Sequence, residues 1–371
     1  MDPIVIVGGG IVGASVAYHL RDAARPVVLF EQNSVGSGAS GDSVAIFVWH
    51  QSEPDQSNHR LRELAWETYE PLVRDGTFSF EQIGTFDVAF TEETATALEA
   101  AATTLDSYGA RAECIPPSSL ADHGVEPTGI TGALHTPDDG YMDPSEIIHY
   151  FLGEATAKNL TVETKTKVTD VRTSDRGVEG VETASEFQPA AAVVNAAGPW
   201  APTVNRMAEV SLPLRHNRGP IAVLQKDEQF SLPFVQFEDG LYLRGEGDRQ
   251  AFAGRFGASY EAASELRPDE AHPIDHEFYL DIQTRIKESI PALADAQLVN
   301  EWVGIRTLTP DGVPLVGESS VPDFYVACGM NGLGVTLAPA VGEVLAAQLT
   351  DSSVDASLKA YLDPARPEAT Q

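Results

Sequence analysis

Ile4-Val5-Ile6-Val7-Gly8-Gly9-Gly10-Ile11-Val12-Gly13 opens the chain, a helical pattern continues to about Arg21, and Pro26-Val27-Val28-Leu29-Phe30 then runs into Glu31. The spacing predicts a strand, a G-x-G-x-x-G turn, a helix, and a second strand with an acid at its tip. Gly8 permits the tight turn, Gly10 lets a pyrophosphate approach the backbone, and Gly13 lets the helix pack closely on the sheet. The first helical turn, with Ile11 and Val12, offers free N–H groups and partial positive charge to phosphates. Glu31, with Gln32 beside it, is placed to accept hydrogen bonds from ribose hydroxyls. The glycines imply a dinucleotide without saying which one.

Composition limits the remaining choices. The 371 residues suffice for two domains, each with its own core. Acids number 55 against 24 bases, of which six are lysine, for a net charge of −31. Such a charge repels nucleic acid and anionic membranes, so neither is an expected partner. The acids are scattered, which describes a solvated acidic surface and not an interaction tail. Few lysines with abundant acid resembles proteins of salt-loving microbes, where salt screens self-repulsion. The first strand is expected to begin almost at Met1, so no signal peptide is expected. No apolar run approaches the roughly 20 residues of a membrane span. Cys114 and Cys328 form neither a disulfide framework nor a metal-ligand spacing. A cytoplasmic, reducing location and no metal are expected.

Glycine-rich Gly36 to Ser43 reads as a loop, followed by a polar helix over about 57–73, a strand within 81–90 and a helix over about 92–109. Asp143 and Pro144 fit the N-cap and first position of another helix. Strands alternate through Val162, Val168–Val171 and Val178–Val181 to the run Ala190 to Gly198. A strand-rich region covers about 210–260, with helices near 275–289 and 335–349. Strands inserted between pieces of a parallel α/β domain imply a discontinuous domain. The expected division is a nucleotide domain of residues 1–80, 140–208 and 303–371, and a second domain of 81–139 and 209–302.

Three further blocks sharpen the picture. Val193-Val194-Asn195-Ala196-Ala197-Gly198-Pro199-Trp200 ends an apolar strand in bare backbone, which suits close approach to something flat and bulky. Trp302-Val303-Gly304-Ile305-Arg306-Thr307-Leu308-Thr309-Pro310-Asp311-Gly312 is the next. The last, Gly329-Met330-Asn331-Gly332-Leu333-Gly334-Val335-Thr336, is a second glycine loop opening a helix. Together with Asp139-Gly140-Tyr141-Met142-Asp143-Pro144, these blocks resemble the D-amino-acid oxidase family of flavoproteins, which includes glycine oxidase, sarcosine oxidase and dimethylglycine dehydrogenase. The resemblance runs from Ile4 to about Leu349.

That resemblance implies a Rossmann-type FAD-binding domain with a discontinuous, strand-rich substrate domain, α/β in class and α+β overall. It implies FAD, with the pyrophosphate at Gly8, Gly10 and Gly13 and the adenosine ribose at Glu31. Ser40, Gly41, Asp42 and Ser43 would pass beside the pyrophosphate and flavin. Ala196, Ala197 and Gly198, with Val168 and Trp200, would wall the site. Gly304 and Arg306 would face it, and Gly329, Asn331, Gly332, Leu333, Gly334, Val335 and Thr336 would lie at the flavin's pyrimidine edge. A helix N-terminus near Val335 would stabilise the negative charge of reduced flavin.

The implied activity is oxidation of the CH–NH bond of a small amino acid or N-methyl amino acid by hydride transfer to flavin, giving an imine that hydrolyses. Arg306 matches the arginine that pairs with substrate carboxylate in glycine-oxidase-like members, and a guanidinium fork suits that task. A structural alternative has Arg306 holding the Asp311 turn. Tyr242 could project its hydroxyl into the same pocket or pack in the core, and His50 could line it. The chain departs from its relatives where covalent flavin links form. Asp42 stands where the dimethylglycine dehydrogenase type carries a linking His, and 307–317 lacks the linking Cys of sarcosine oxidases. FAD is therefore expected to be non-covalent. The oxygen-activating Lys of sarcosine oxidases would fall near Phe252, so the electron acceptor stays open between O2 and an electron carrier, as does the oligomeric state. Rival readings are an FAD-dependent dehydrogenase of a 2-hydroxy acid or similar CH–OH substrate, and a flavin-carrying partner subunit.

The acidic surface carries its own test. Melting temperature should rise steeply from low to molar potassium chloride as salt screens the charge. A flat profile would remove the high-salt reading.

Overall fold

The computed structural model describes residues 1–256, 263–264 and 266–367. Two large sheets organise it. The first has six strands in the order Leu315–Glu318, Phe324–Cys328, Ala192–Asn195, Ile4–Val7, Val27–Phe30 and Leu160–Glu163. All neighbours are parallel except the outermost pair, Leu315–Glu318 against Phe324–Cys328. Ile4–Val7 and Ala192–Asn195 are apolar almost throughout and fully buried, as strands covered on both faces must be. Helices Ile11–His19, Pro144–Thr156 and Gly334–Leu349 cover one face, with Ile4, Ile6 and Leu29 beneath them. Val5, Val7 and Val193 on the other face pack with Val168, Val171 and Val181 of a three-stranded sheet, Val168–Ser174, Gly177–Thr183 and Phe187–Pro189.

The second large sheet has eight strands, in the order Gln297–Leu308, Arg215–Gln225, Gln250–Arg255, Leu241–Glu246, Phe234–Phe237, Thr85–Ala89, Gly132–Thr136 and Glu113–Ile115. Helix His276–Ser289 packs on one face through Phe278, Ile282 and Ile286, against Ala222, Leu224, Leu241 and Leu243. Ile221, Phe234 and Tyr242 point from the opposite face, against Val44 and Ile46. The expected division between 302 and 303 cuts through one continuous strand. The ladder pairs Trp302 with Ile221 and runs on to Leu308 against Arg215, so hydrogen bonding holds residues through 308 in this sheet.

A small sheet of Ile46–Phe47, Gly140–Tyr141 and Glu81–Gln82 lies where the two large ones meet. Its length hid it, since two-residue strands carry no readable alternation. Asp139, fully buried, fastens the junction: its carboxylate accepts from the Trp49 amide at 2.7 Å and the Thr136 hydroxyl at 2.8 Å. Burial pushes the Asp139 carboxyl up, and these donors oppose the shift. Asp143 caps Pro144–Thr156 by accepting from the Ser145 amide at 2.7 Å. No helix among the described residues is long and apolar enough to cross a membrane.

The first and last long helices meet at Gly342. A Cβ there would stand 2.3 Å from Ser15 Oγ and 2.8 Å from the Ser15 carbonyl carbon, so no methyl fits without moving backbone. At Gly153, also helical, a Cβ would meet nothing within 4 Å. Gly342→Ala should lower stability by about 1–2 kcal/mol, overpacking outweighing the gain in helix propensity. Gly153→Ala should raise it by about 0.5–1 kcal/mol. Denaturant melts showing the same sign for both would refute the close packing.

Candidate active site

Close backbone packing shapes one end of a long cavity. Gly8 sits at φ +112°, and a Cβ there would lie 2.5 Å from the Ala196 carbonyl oxygen. A Cβ at Gly13 would lie 2.0 Å from the Gly8 carbonyl oxygen, which brings the Ile11–His19 helix directly onto the turn. No side chain caps that helix at Gly10, although the Ile11 amide donates to Ser40 Oγ at 3.0 Å. Glu31 holds the turn from the next strand. Its carboxylate accepts from the Gly9 amide at 2.8 Å and from the Asn33 amide at 2.7 Å. The glycine turn, Glu31, Gln32, Thr166 and Val168 wall this end. Bare backbone, an uncapped helix start and an acid one strand away fit a dinucleotide diphosphate and its ribose.

The cavity continues past Ala196, Ala197, Gly198 and Trp200 to the face of the eight-stranded sheet. Gly304, Arg306 and Tyr242 line it there, with Asp42, Ser43, Gly329, Asn331, Gly332, Gly334 and Val335 opposite. Asp42 packs against Gly304, where an added Cβ would lie 3.1 Å from Asp42 Cβ, and its carbonyl oxygen accepts from Trp302 Nε1 at 2.9 Å. Burial raises the Asp42 carboxyl above its ordinary range. Asn331, at φ +52°, fastens the second glycine loop by accepting from the Thr309 amide at 2.9 Å and donating to the Gly329 carbonyl.

Arg306 is the cation at this end of the cavity, while Lys167 lines the other. Its guanidinium donates to the Arg255 carbonyl and lies beside the Tyr242 hydroxyl, with the Phe256 ring centre 5.6 Å from Cζ. Among the described residues no carboxylate pairs with it; Asp311 instead takes Arg366, at 2.7 Å from Nε. That pairing removes the alternative in which Arg306 holds the Asp311 turn. Burial lowers the Arg306 pKa, and Tyr242 opposes the shift. Burial likewise raises the Tyr242 phenol, which is 2% exposed and packs on Phe234 and Phe256.

Some expected residues lie elsewhere. His50 is off the cavity wall and buried at the sheet junction, its Nε2 3.2 Å from Asp87 Oδ2. The strand after the glycine loop carries its chain away from the cavity, so nearness in sequence to Ser43 misled. Gly13, Gly41, Leu333 and Thr336 also do not line the cavity. Gly13 and Gly41 act through close packing, the latter against the Gly36 carbonyl, and Thr336 Oγ1 donates to the Ile46 carbonyl at 3.0 Å. Phe252 faces Trp302 at 5.8 Å between ring centres. Sequence reasoning missed Gly219, Phe256, Cys328 and Asp269, all on the wall. Cys328 ends a central strand, and burial pushes its thiol up to about 12. Asp269 Oδ1 accepts from Trp200 Nε1 at 2.9 Å. No periodicity or motif marks these four positions; a β-ladder or a loop crossing brings them in. Among the described residues no group of three metal-ligating side chains forms.

Residues 3–348 match the family described as FAD dependent oxidoreductase, and the chain belongs to it. It is thus a mixed α/β member of a family of FAD enzymes. Among curated relatives, 4-methylaminobutanoate oxidase (formaldehyde-forming) of Paenarthrobacter nicotinovorans is 27% identical over 366 residues, covering 92% of this chain and 43% of that protein. Glycine oxidase of Geobacillus kaustophilus is 26% identical over 360 residues, covering 92% of this chain and 91% of that protein. The chain thus spans under half of the first relative and nearly all of the second. Among solved structures, L-proline dehydrogenase from P. horikoshii superposes with a TM-score of 0.89 at 25% identity, covering 100% of this chain and 98% of that one.

The attachment and ribose roles can be checked together. Acid precipitation should leave the yellow colour in the supernatant; colour staying with the pellet would show a covalent link. Glu31→Ala should weaken FAD binding by about 1.5–3 kcal/mol, since it removes a carboxylate that also holds the glycine turn. Unchanged FAD affinity on titration of the apoprotein would refute that role.

Proposed function

We infer that this protein oxidises the CH–NH bond of a small amino acid or N-methyl amino acid, with Arg306 and Tyr242 holding the substrate carboxylate. The observation that carries this is a cavity-facing guanidinium that, among the described residues, has neutral partners only, in the same cavity as the glycine turn. A cation in such a setting attracts an anion strongly, because little water competes. Two parallel N–H groups meet a carboxylate's two oxygens, and the Tyr242 hydroxyl adds a third polar contact. Non-covalent FAD, held at Gly8, Gly10 and Glu31, would supply hydride acceptance. The protein's share is to fix the substrate α-carbon against it and to exclude water. The apolar wall at Ile221, Val44 and Phe256 suits a small neutral side chain or N-substituent. The second glycine loop brings the start of helix Gly334–Leu349 to the cavity, where its dipole favours negative charge.

The named activities of relatives agree with an amine substrate: a methylaminobutanoate, glycine and L-proline. Arg306 would hold the carboxylate of a 2-hydroxy acid equally well, so it is the relatives' names that favour the amine over the CH–OH alternative. O2 and an electron carrier both remain open as acceptor, and a cytoplasmic setting is part of the same proposal.

The test is anaerobic bleaching of flavin absorbance against a panel of amino acids, N-methyl amino acids, 2-hydroxy acids and amines without a carboxylate. Carboxylate-bearing amines should bleach it and the others should not. Arg306→Ala should cost about 2–5 kcal/mol in kcat/KM for those substrates, and Arg306→Lys should fall between, keeping charge and losing the fork. Bleaching by 2-hydroxy acids alone, or an Arg306→Ala enzyme with lost FAD and unchanged kinetics in the remainder, would overturn the proposal.

A further inference from the structure

We propose that Gly219 is a positioning residue for the carboxylate site: the missing side chain at 219 is what lets the Arg306 guanidinium lie in its binding orientation. This rests on the carboxylate role of Arg306 inferred above.

The ladder between Arg215–Gln225 and Gln297–Leu308 pairs Ile221 with Trp302, Gly219 with Gly304, and Asn217 with Arg306. Alternate pairs share one face of a sheet, so these three stack in order along the ladder, with Ile221, Gly219, Gly304 and Arg306 on the cavity wall. The middle pair has no side chain on either strand. That leaves a bare trough two strands wide, flanked by Trp302 and Ile221 on one side and Arg306 on the other. Asp42 covers the Gly304 half, at 3.1 Å from where a Cβ would stand. Arg306 fills the Gly219 half by leaning diagonally across the ladder.

The contacts at Gly219 are with the head of the arginine. A Cβ there would stand 2.9 Å from Arg306 Nη2, 3.0 Å from Nε and 3.2 Å from Cζ. No backbone atom is among the nearest three, and no positive φ applies to Gly219. An alanine would therefore be accommodated by displacing the guanidinium while the strand keeps its path. The guanidinium has little freedom to move and still keep its partners. Nη2 bonds the Arg255 carbonyl, the Tyr242 side chain reaches it from three strands across the sheet, and Gly332 lies under the stem, where a Cβ would sit 3.3 Å from Cδ. Lifting the planar head off the trough breaks the first two contacts and turns the fork away from its preset plane. Gly219 thus acts on the substrate through Arg306.

The experiment uses the FAD-loaded protein and a double-mutant cycle. The probe is propionate, a carboxylate with no amine, its dissociation constant read from perturbation of the flavin spectrum and by calorimetry. Gly219→Ala should raise that constant and the substrate KM about tenfold or more, with a smaller change in kcat and with FAD content and melting temperature retained. On an Arg306→Lys background, which has no guanidinium to displace, the same substitution should add less than about twofold. Equal effects on both backgrounds, or an unchanged constant in Gly219→Ala alone, would overturn the proposal. Should Gly219→Ala fail to fold, its folding on the Arg306→Lys background would locate the clash at the guanidinium, and failure on both would overturn the assignment. Arg306→Ala separates the two levels. If it leaves propionate affinity unchanged, the carboxylate role itself fails. If it weakens affinity and Gly219→Ala does not, only the role of Gly219 fails.

Discussion

The contact between Gly8 and Ala196 is the constraint on which the remaining architecture depends. Two parallel strands end side by side there, and a turn leaves one of them with a backbone conformation open to glycine, φ +112°, 2.5 Å from where a side chain would strike the other. Because no side chain separates them, the helix that follows can drop onto the turn at Gly13. In an open parallel sheet, ligand sites form outside the carboxyl ends of the strands where connections leave in opposite directions. Ile4–Val7 is flanked by Val27–Phe30 and Ala192–Asn195, so the glycine turn stands at such a point. Position and chemistry come from the same few residues, since the atoms that close the fold leave amide groups facing the cavity.

The opposite end works by a different principle. Burying a cation without an acid costs free energy, and most buried arginines answer with a carboxylate. Arg366 and Arg244 do so here, through Asp311 and Glu246. Among the described residues Arg306 does not, and its neutral partners orient it without neutralising it. A folded chain that tolerates this retains attraction for an anion in a place where water screens poorly. Uncompensated charge in a cavity is a mark of a site, whereas paired charge is more often structure. The two ends are joined by the glycine loop at Gly329–Gly334, which touches the Arg306 stem through Gly332 and opens the helix behind the cavity.

Much of this was legible in the residues. The strand-turn-helix opening could be read because each position has a local physical demand, and Glu31 lies within one supersecondary unit of it. The strands Phe234–Phe237 and Leu241–Glu246 and the helix Gln56–Arg74 followed from periodicity. Arg306 and Tyr242 were legible as candidates, yet what holds them was not. Arg255 and Gly219 reach Arg306 only through ladder pairings whose register a single sequence does not declare. His50 failed for the related reason that a two-residue strand, Ile46–Phe47, redirects the chain between the glycine loop and the junction. The boundary near 303 falls inside the strand Gln297–Leu308, because the motif that suggested it begins partway along that strand.

The net charge of −31 bears on how such a site can work at all. On the proposed reading, a carboxylate substrate approaching this surface meets repulsion from scattered acids and attraction from the recessed Arg306. The two act over different distances and through different media. Surface repulsion crosses water and is screened over about 8 Å at physiological ionic strength and about 3 Å at molar salt. The attraction of Arg306 acts inside the cavity, where the surrounding protein has a lower dielectric than water, and is screened less. Rising salt therefore removes the opposing field while leaving the anchor nearly intact. An acidic exterior and the proposed anion-binding interior are compatible in one chain, because the proposed anchor lies within the cavity beside Tyr242 and Phe256, on a trough that glycine keeps open.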